Sequence, residues 1–203
     1  MKTKMPKTLI STIFEGGAVN AAIIKFTPDK VILIGVDKSD PERKSNLKKA
    51  IDEVKNKYKT INFEVLDTSV YEIPKIVNDV CKTIDKEHKA GNKITIHISE
   101  GRKTQSLGAL FAGFIKKDKI EGVYYLIEET GKALPMPLLD FKLSSTKTFI
   151  LKELASGNKK VADIIKKSKK SKAMIYAHII ELKKNGYLTE DMEVTDAGRI
   201  CIL

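Results

Sequence analysis

Two short stretches place glycine, hydroxyl and charged side chains where an apolar run stops. Ser99-Glu100-Gly101-Arg102-Lys103-Thr104 closes the run KITIHIS and opens an apolar helical pattern, and Thr12-Ile13-Phe14-Glu15-Gly16-Gly17 closes the run TLIST. A helix opening near Thr104 leaves unpaired backbone N–H groups and the positive end of its dipole at the turn, a setting that favours phosphate oxygens. Gly101 allows a turn or a close backbone approach. Arg102 and Lys103 add charge, and Thr104 or Ser106 can cap or donate. The chemistry implied is recognition of an anionic, nucleotide-like ligand. Neither turn is GxxxxGK[ST] or GxGxxG, so phosphate-loop ATP hydrolysis and dinucleotide redox chemistry lose support. His88, His97 and His178 fall at a helix end, inside a strand and in mid-helix, none beside an obvious nucleophile and acid, which argues against classical hydrolase chemistry. Cys81 and Cys201 are far apart with no CxxC and no zinc spacing; both are expected to be buried thiols, and no metal site is expected.

The elements that must carry these turns follow from periodicity. TLIST (8–12), KVILIG (30–35), INFEVL (61–66), KITIHIS (93–99) and VYYLI (123–127) read as strands, with a last short one near ALPMP. Four helices alternate with them. Leu47, Ala50, Ile51, Val54 and Tyr58 give the second its apolar face, and Ile73, Ile76, Val77, Val80, Cys81 and Ile84 give the third its own, with Pro74 in the first turn and Gly91 past the end. In the fourth, KTQSLGALFAGFIKK, the expected stripe is Leu107, Leu110, Phe111, Phe114 and Ile115, with Gly108, Ala109, Ala112 and Gly113 permitting close approach to the sheet. Strict alternation predicts an α/β fold, a doubly wound Rossmann-like and mostly parallel sheet. With strand order 3-2-1-4-5, the first and fourth strands meet at the switch point, where such sheets bind ligands, and the two polar turns flank one crevice.

After the linker PMPLLDFKLSS the pattern changes, which sets a boundary near residue 142 and divides the chain into 1–142 and 143–203. SSTKTFILKELASG, VADIIKKS and SKAMIYAHIIELKKNG read as three helices. GYLTED and EVTDAGRICIL read as two β-prone pieces joined by an acidic turn, and together they predict a small winged helix-turn-helix domain. Residues 159–184 hold nine Lys against Asp163 and Glu181. The helix beginning near 168–171 is expected to offer Lys169, Lys170, Ser171, Lys172 and Tyr176 to DNA, while Met174, Ile175, Ile179 and Leu182 face the module's own core.

A Rossmann-like domain with EGRKTQS after its fourth strand, followed by a winged helix, resembles the CRISPR-associated Rossmann-fold (CARF) transcription regulators of archaea. GYLTEDMEVTDAGR is similar to the wing of many archaeal and bacterial winged-helix regulators. The resemblance implies a homodimer whose two Rossmann-like domains share a two-fold pocket for a cyclic oligoadenylate, most often the four-membered ring, as effector, with no other cofactor. By position, Gly101, Arg102, Lys103 and Thr104 would hold ring phosphates and ribose. Ser11, Thr12 and Phe14 would line the other side, with Gly16 and Ser99 completing the two loops. Members commonly carry a Gly-Gly or Gly-Thr pair before the basic residue, whereas here Glu100 precedes Gly101. The function implied is a ligand-responsive regulator of a CRISPR-Cas system that binds double-stranded DNA. The alternatives are a metal-independent ring nuclease, in which Lys103 or Arg102 stabilises developing charge, and a winged-helix adaptor that contacts protein.

Composition agrees with this class. The 203 residues are 42% hydrophobic and 31% charged, as in a globular chain, and 37 Lys plus Arg against 26 Asp plus Glu leave a net +11, which favours polyanionic partners. No apolar run is long enough for a membrane span and MKTKMPKTLIST is no signal peptide, so a cytoplasmic location without membrane partners is expected.

Overall fold

The computed structural model describes residues 5–35, 41–127, 129–136, 138 and 143–203, with backbone only for 41–43. The boundary expected near residue 142 lies outside the described residues. The chain divides into two compact units, Met1–Leu139 and Asp140–Leu203.

The first unit runs β1 (Lys7–Thr12), α1 (Gly17–Phe26), β2 (Lys30–Ile34), α2 (Pro41–Lys57), β3 (Asn62–Leu66), α3 (Ile73–Lys89), β4 (Lys93–His97), α4 (Lys103–Ile115), a 3-10 turn (Lys117–Lys119), β5 (Gly122–Leu126) and β6 (Ala133–Pro135). The sheet order is β3-β2-β1-β4-β5-β6, parallel except for the β5–β6 pair. Runs such as Val31 to Ile34 are buried along their length because helices cover both faces of the sheet. Leu9, Val31 and Leu33 point to one face and pack with Val19, Ala22 and Ile23 of α1 and with Leu47, Ala50, Ile51 and Val54 of α2. Ile10, Ile32, Ile94 and Ile96 alternate to the other face, which α3 and α4 cover. The register pairs Ser11 with His97 across β1 and β4, so the two strands end level and their turns meet at the switch point.

One helix differs from expectation in the face it buries. In α4 the covered residues are Gln105, Gly108, Ala109, Ala112, Gly113 and Phe114, at spacings of three and four, whereas Leu107 is 45% exposed. The small residues decide this: a Cβ on Gly108 would stand 2.5 Å from Ile76 of α3, so the two helices approach too closely for a larger side chain between them. Cys81 is buried, and its thiol is pushed up to about 12 by desolvation; Cys201, expected to be buried, is only half so.

The second unit contains α5 (Ser145–Ala155), α6 (Val161–Ser168), α7 (Lys172–Lys184) and α8 (Asp196–Cys201) around a core of Ile150, Leu151, Leu154, Ile164, Ile175, Ile179, Leu182, Leu188 and Val194. Ser144, Ser171 and Thr195 cap α5, α7 and α8, accepting from the N–H groups of Lys147, Met174 and Gly198. The expected wing is reduced: Leu188 and Val194 form one antiparallel bridge, and the rest of EVTDAGRICIL that was read as β is mostly the helix α8. The Thr195 cap and Asp196 in the first turn favour a helix start there, and they outweigh the β preference of the Ile200, Cys201, Ile202 stretch. Met174 also departs from expectation. It is 44% exposed, since Ile175, Ile179 and Leu182 already form a complete i, i+4, i+7 stripe.

Candidate functional site at the β1–β4 crevice

Gly16 stands at the start of α1 with φ +86° and Gly101 stands in the β4–α4 turn with φ +84°, conformations that other residues adopt only at a cost. Both also sit too close to neighbours for a side chain: a Cβ would lie 2.9 Å from Val54 at Gly16 and 3.0 Å from Thr12 at Gly101. Gly101 therefore lets the β4 turn lie against the end of β1, and that contact delivers Glu100 to the other turn.

The Glu100 carboxylate accepts from the backbone N–H groups of Phe14 (3.0 Å), Glu15 (3.2 Å) and Gly16 (2.8 Å) through Oε2, and from Ala18 through Oε1. These donors include the free N–H groups at the start of α1, which a negative charge satisfies. The residue that looked out of place beside an anion site is itself an anion, and it fills the β1 turn from within. Nothing in its local sequence announces this, because its partners lie more than eighty positions away.

Ser11 and Thr12 are fully buried. Ser11 Oγ donates to the Thr12 carbonyl (3.0 Å) and lies 2.8 Å from His97 Nδ1. In this conformation they form the floor beneath the turns and not, as expected, a wall open to a ligand. His97 Nε2 and Thr12 Oγ1 are buried without a hydrogen-bond partner among the described residues. Desolvation pushes the His97 pKa down to about 4 against the opposing pull of Glu100, so its imidazole is neutral at pH 7. Phe14 is 58% exposed. Ser99 Oγ accepts from the Leu126 N–H at 2.6 Å, which fixes the end of β4 to the end of β5.

The other side of the crevice is built on the start of α4. Gln105, fully buried, donates through Nε2 to the Gly35 carbonyl at 2.6 Å and receives the Arg102 N–H on Oε1 at 3.5 Å. Thr104 Oγ1 donates to the Val70 carbonyl, drawing in the loop between β3 and α3. Its neighbour Tyr71 lies beside Arg102, with the guanidinium carbon 5.5 Å from the ring centroid. Arg102 is half-buried, and Lys103, the first residue of α4, is exposed. The structure thus brings Gly101, Arg102, Lys103 and Thr104 together as a basic helix start, adds Gln105 and Tyr71, which sequence reasoning did not place there, and gives Glu100 partners in the other turn. The TQS run after Arg102 carried a signal for Gln105, a polar residue on the inner face of a helix. Tyr71 had none, because its loop reaches α4 only through the fold.

In the second unit, Lys169, Lys170, Ser171, Lys172 and Tyr176 are all exposed around the α6–α7 turn. Lys169 takes φ +55° at that turn, Ser171 is committed to capping α7, and the Lys172 ammonium lies 5.9 Å from the Tyr176 ring centroid. No group of three or more metal-ligating side chains occurs among the described residues, and no described helix is long and apolar enough to cross a membrane.

Comparison with known proteins gives a family and a fold. Residues 10–130 match the family model described as "HFX_2341_N:-like, N-terminal". No curated protein matches the sequence. Among solved structures, the chain is similar to Enterococcus italicus Csm6 bound to cyclic hexa-2'-fluoro-hexa-dAMP, with 11% identity and a TM-score of 0.54 over 91% of this chain and 55% of that one. It also aligns with Can2 from Sulfobacillus thermosulfidooxidans in complex with cyclic tetra-adenylate, at 13% identity and a TM-score of 0.45 over 97% and 64% of the two chains. A third is a Type III CRISPR defence DNA nuclease activated by cyclic oligoadenylate, at 13% and 0.49 over 89% and 30%. The chain spans about half the length of the first of these.

Proposed function

The chain belongs to the HFX_2341_N:-like, N-terminal family, and from its crevice we propose a sensor of cyclic oligoadenylate in the first unit coupled to DNA binding in the second. The observation that carries the reading is the basic start of α4 at the β1–β4 switch point, where Arg102 and Lys103 flank free helix N–H groups. The fold shared with Csm6, a protein solved with a cyclic hexanucleotide, supports that ligand class. Gly101 supplies the close approach, Arg102 and Lys103 the phosphate contacts, and Phe14 an exposed apolar edge. Ser99, Thr104 and Gly16 shape the loops, and Ser11 and Thr12 support them from below.

The outward stripe of α4, with exposed Leu107 and half-buried Leu110, Phe111 and Ile115, supports a homodimer in which two such crevices serve one two-fold ligand. In the second unit, the Lys-rich α6–α7 turn supports contacts to DNA phosphates by Lys169, Lys170 and Lys172, with Ser171 and Tyr176 beside them. Ligand control of DNA binding requires that the ring favour one of two dimer states. Titration of the chain with cyclic tetra- and hexa-adenylate, followed by DNA binding at several salt concentrations, tests the whole reading. The expected result is ring binding that shifts DNA affinity; no binding of either ring refutes the sensor.

A further inference from the structure

Glu100 occupies four donors of the β1 turn, so the part of the crevice left for an anion lies on the side of α4 and of the loop between β3 and α3. That loop is rigidly held. Thr68 Oγ1 donates to Asp79 of α3 at 2.8 Å, Ser69 Oγ receives the N–H groups of Tyr71 (3.3 Å) and Glu72 (3.1 Å), Val70 is buried, and its carbonyl accepts from Thr104. The backbone at Tyr71 is thus fixed from both sides while the side chain is 69% exposed. One face of the ring is turned to the Arg102 guanidinium, 5.5 Å from its centroid, and most of the residue is open to solvent.

Building on the reading above, we propose that Tyr71 is the nucleobase-stacking platform of the crevice, receiving one adenine of the ring while Arg102 and Lys103 take the adjacent phosphate. Three features fit this chemistry. An aromatic ring on a pre-ordered loop stacks a base with little further ordering of the backbone. A guanidinium behind the ring and free helix N–H groups beyond it place the phosphate site within one nucleotide of the stacking face. A lone exposed tyrosine is ordinary on a protein surface, but the residue before this one, Val70, is held to α4 by its carbonyl accepting from Thr104, a residue of the same basic turn.

The test measures binding of cyclic tetra- and hexa-adenylate to the full chain and to Tyr71→Phe, Tyr71→Leu and Tyr71→Ala, together with hypochromism of the adenine band on binding. Tyr71→Phe is expected to bind within about twofold of the parent, and Tyr71→Leu and Tyr71→Ala about 5- to 150-fold more weakly, with the hypochromism reduced. Unchanged thermal midpoints in the absence of ring show that the loop itself is intact. Ring affinity equal to the parent in Tyr71→Leu overturns the platform while leaving the sensor standing. Failure of the parent to bind either ring removes the sensor and the platform together.

Discussion

Removing the Glu100 carboxylate is the sharpest test of how this crevice is built. The carboxylate serves four backbone donors, of which Phe14 and Glu15 lie at the surface, Gly16 is buried and Ala18 half-buried. A hydrogen bond to a charged acceptor is worth about 1.5–3 kcal/mol where water cannot replace it, and much less at the surface. Counting the two inner donors in full and the outer two as largely rehydrated, and adding about 0.5 kcal/mol for the lost charge at the start of α1, Glu100→Ala costs about 3.5–6.5 kcal/mol. Glu100→Gln keeps one acceptor oxygen and loses the charge, at about half that cost. Urea denaturation followed by circular dichroism measures the loss. Hydrogen exchange at Phe14, Glu15, Gly16 and Ala18 localises it, because only these amides lose their acceptor. Formate, which supplies a free carboxylate, is expected to restore part of the stability of Glu100→Ala and none to the parent chain. A loss below about 0.5 kcal/mol with unchanged protection of the four amides refutes the account.

Other consequences can be measured alongside. His97 is held at a pKa of about 4 by burial while the unfolded imidazole titrates near its ordinary value of 6.5, so the unfolded chain binds the extra proton between these values. Stability is therefore expected to be full above pH 6.5 and to fall by up to about 3 kcal/mol on acidification towards pH 4, and His97→Gln flattens that slope. Glu87 is 1% exposed and accepts from Lys30 (2.7 Å), Asn92 (2.7 Å) and Thr8 (2.9 Å); burial pushes its carboxyl up, but these hydrogen bonds outweigh that and hold it below its usual value. Glu87→Ala is expected to cost about 3 kcal/mol in urea denaturation, and a cost under about 1 kcal/mol contradicts the cluster's role. Combined replacement of Lys169, Lys170 and Lys172 by Ala is expected to reduce the slope of log affinity for DNA against log salt by about 3, and an unchanged slope removes these residues from the DNA interface.

Much of the fold could be read from local pattern. The strands, the order around β1 and β4 and the meeting of their turns follow from short β-branched runs alternating with amphipathic helices, because a parallel sheet covered on both faces leaves that pattern in the chain. Local pattern and fold diverge where one local signal competes with another that depends on packing. The large apolar residues of α4 suggest a buried stripe, yet of these only Phe114 is buried, and the small residues expected to approach the sheet take the inner face, Gly108 against Ile76 of α3 and Gly113 against Val123 of β5. The β-prone end of the chain became a helix once the Thr195 cap was counted.

The candidate site divides in the same way. Residue types alone determined that the turn from Ser99 to Thr104 is a basic helix start shaped by glycine, since N–H groups, charge and conformational freedom are local properties. Tertiary structure decided what each group faces. It put Glu100 into the donors of a turn far away in sequence, sealed Ser11 and Thr12 beneath the crevice, and set Tyr71 beside Arg102. Those pairings depend on strands lying side by side and loops arriving from different crossovers, distances that residue type and spacing do not encode.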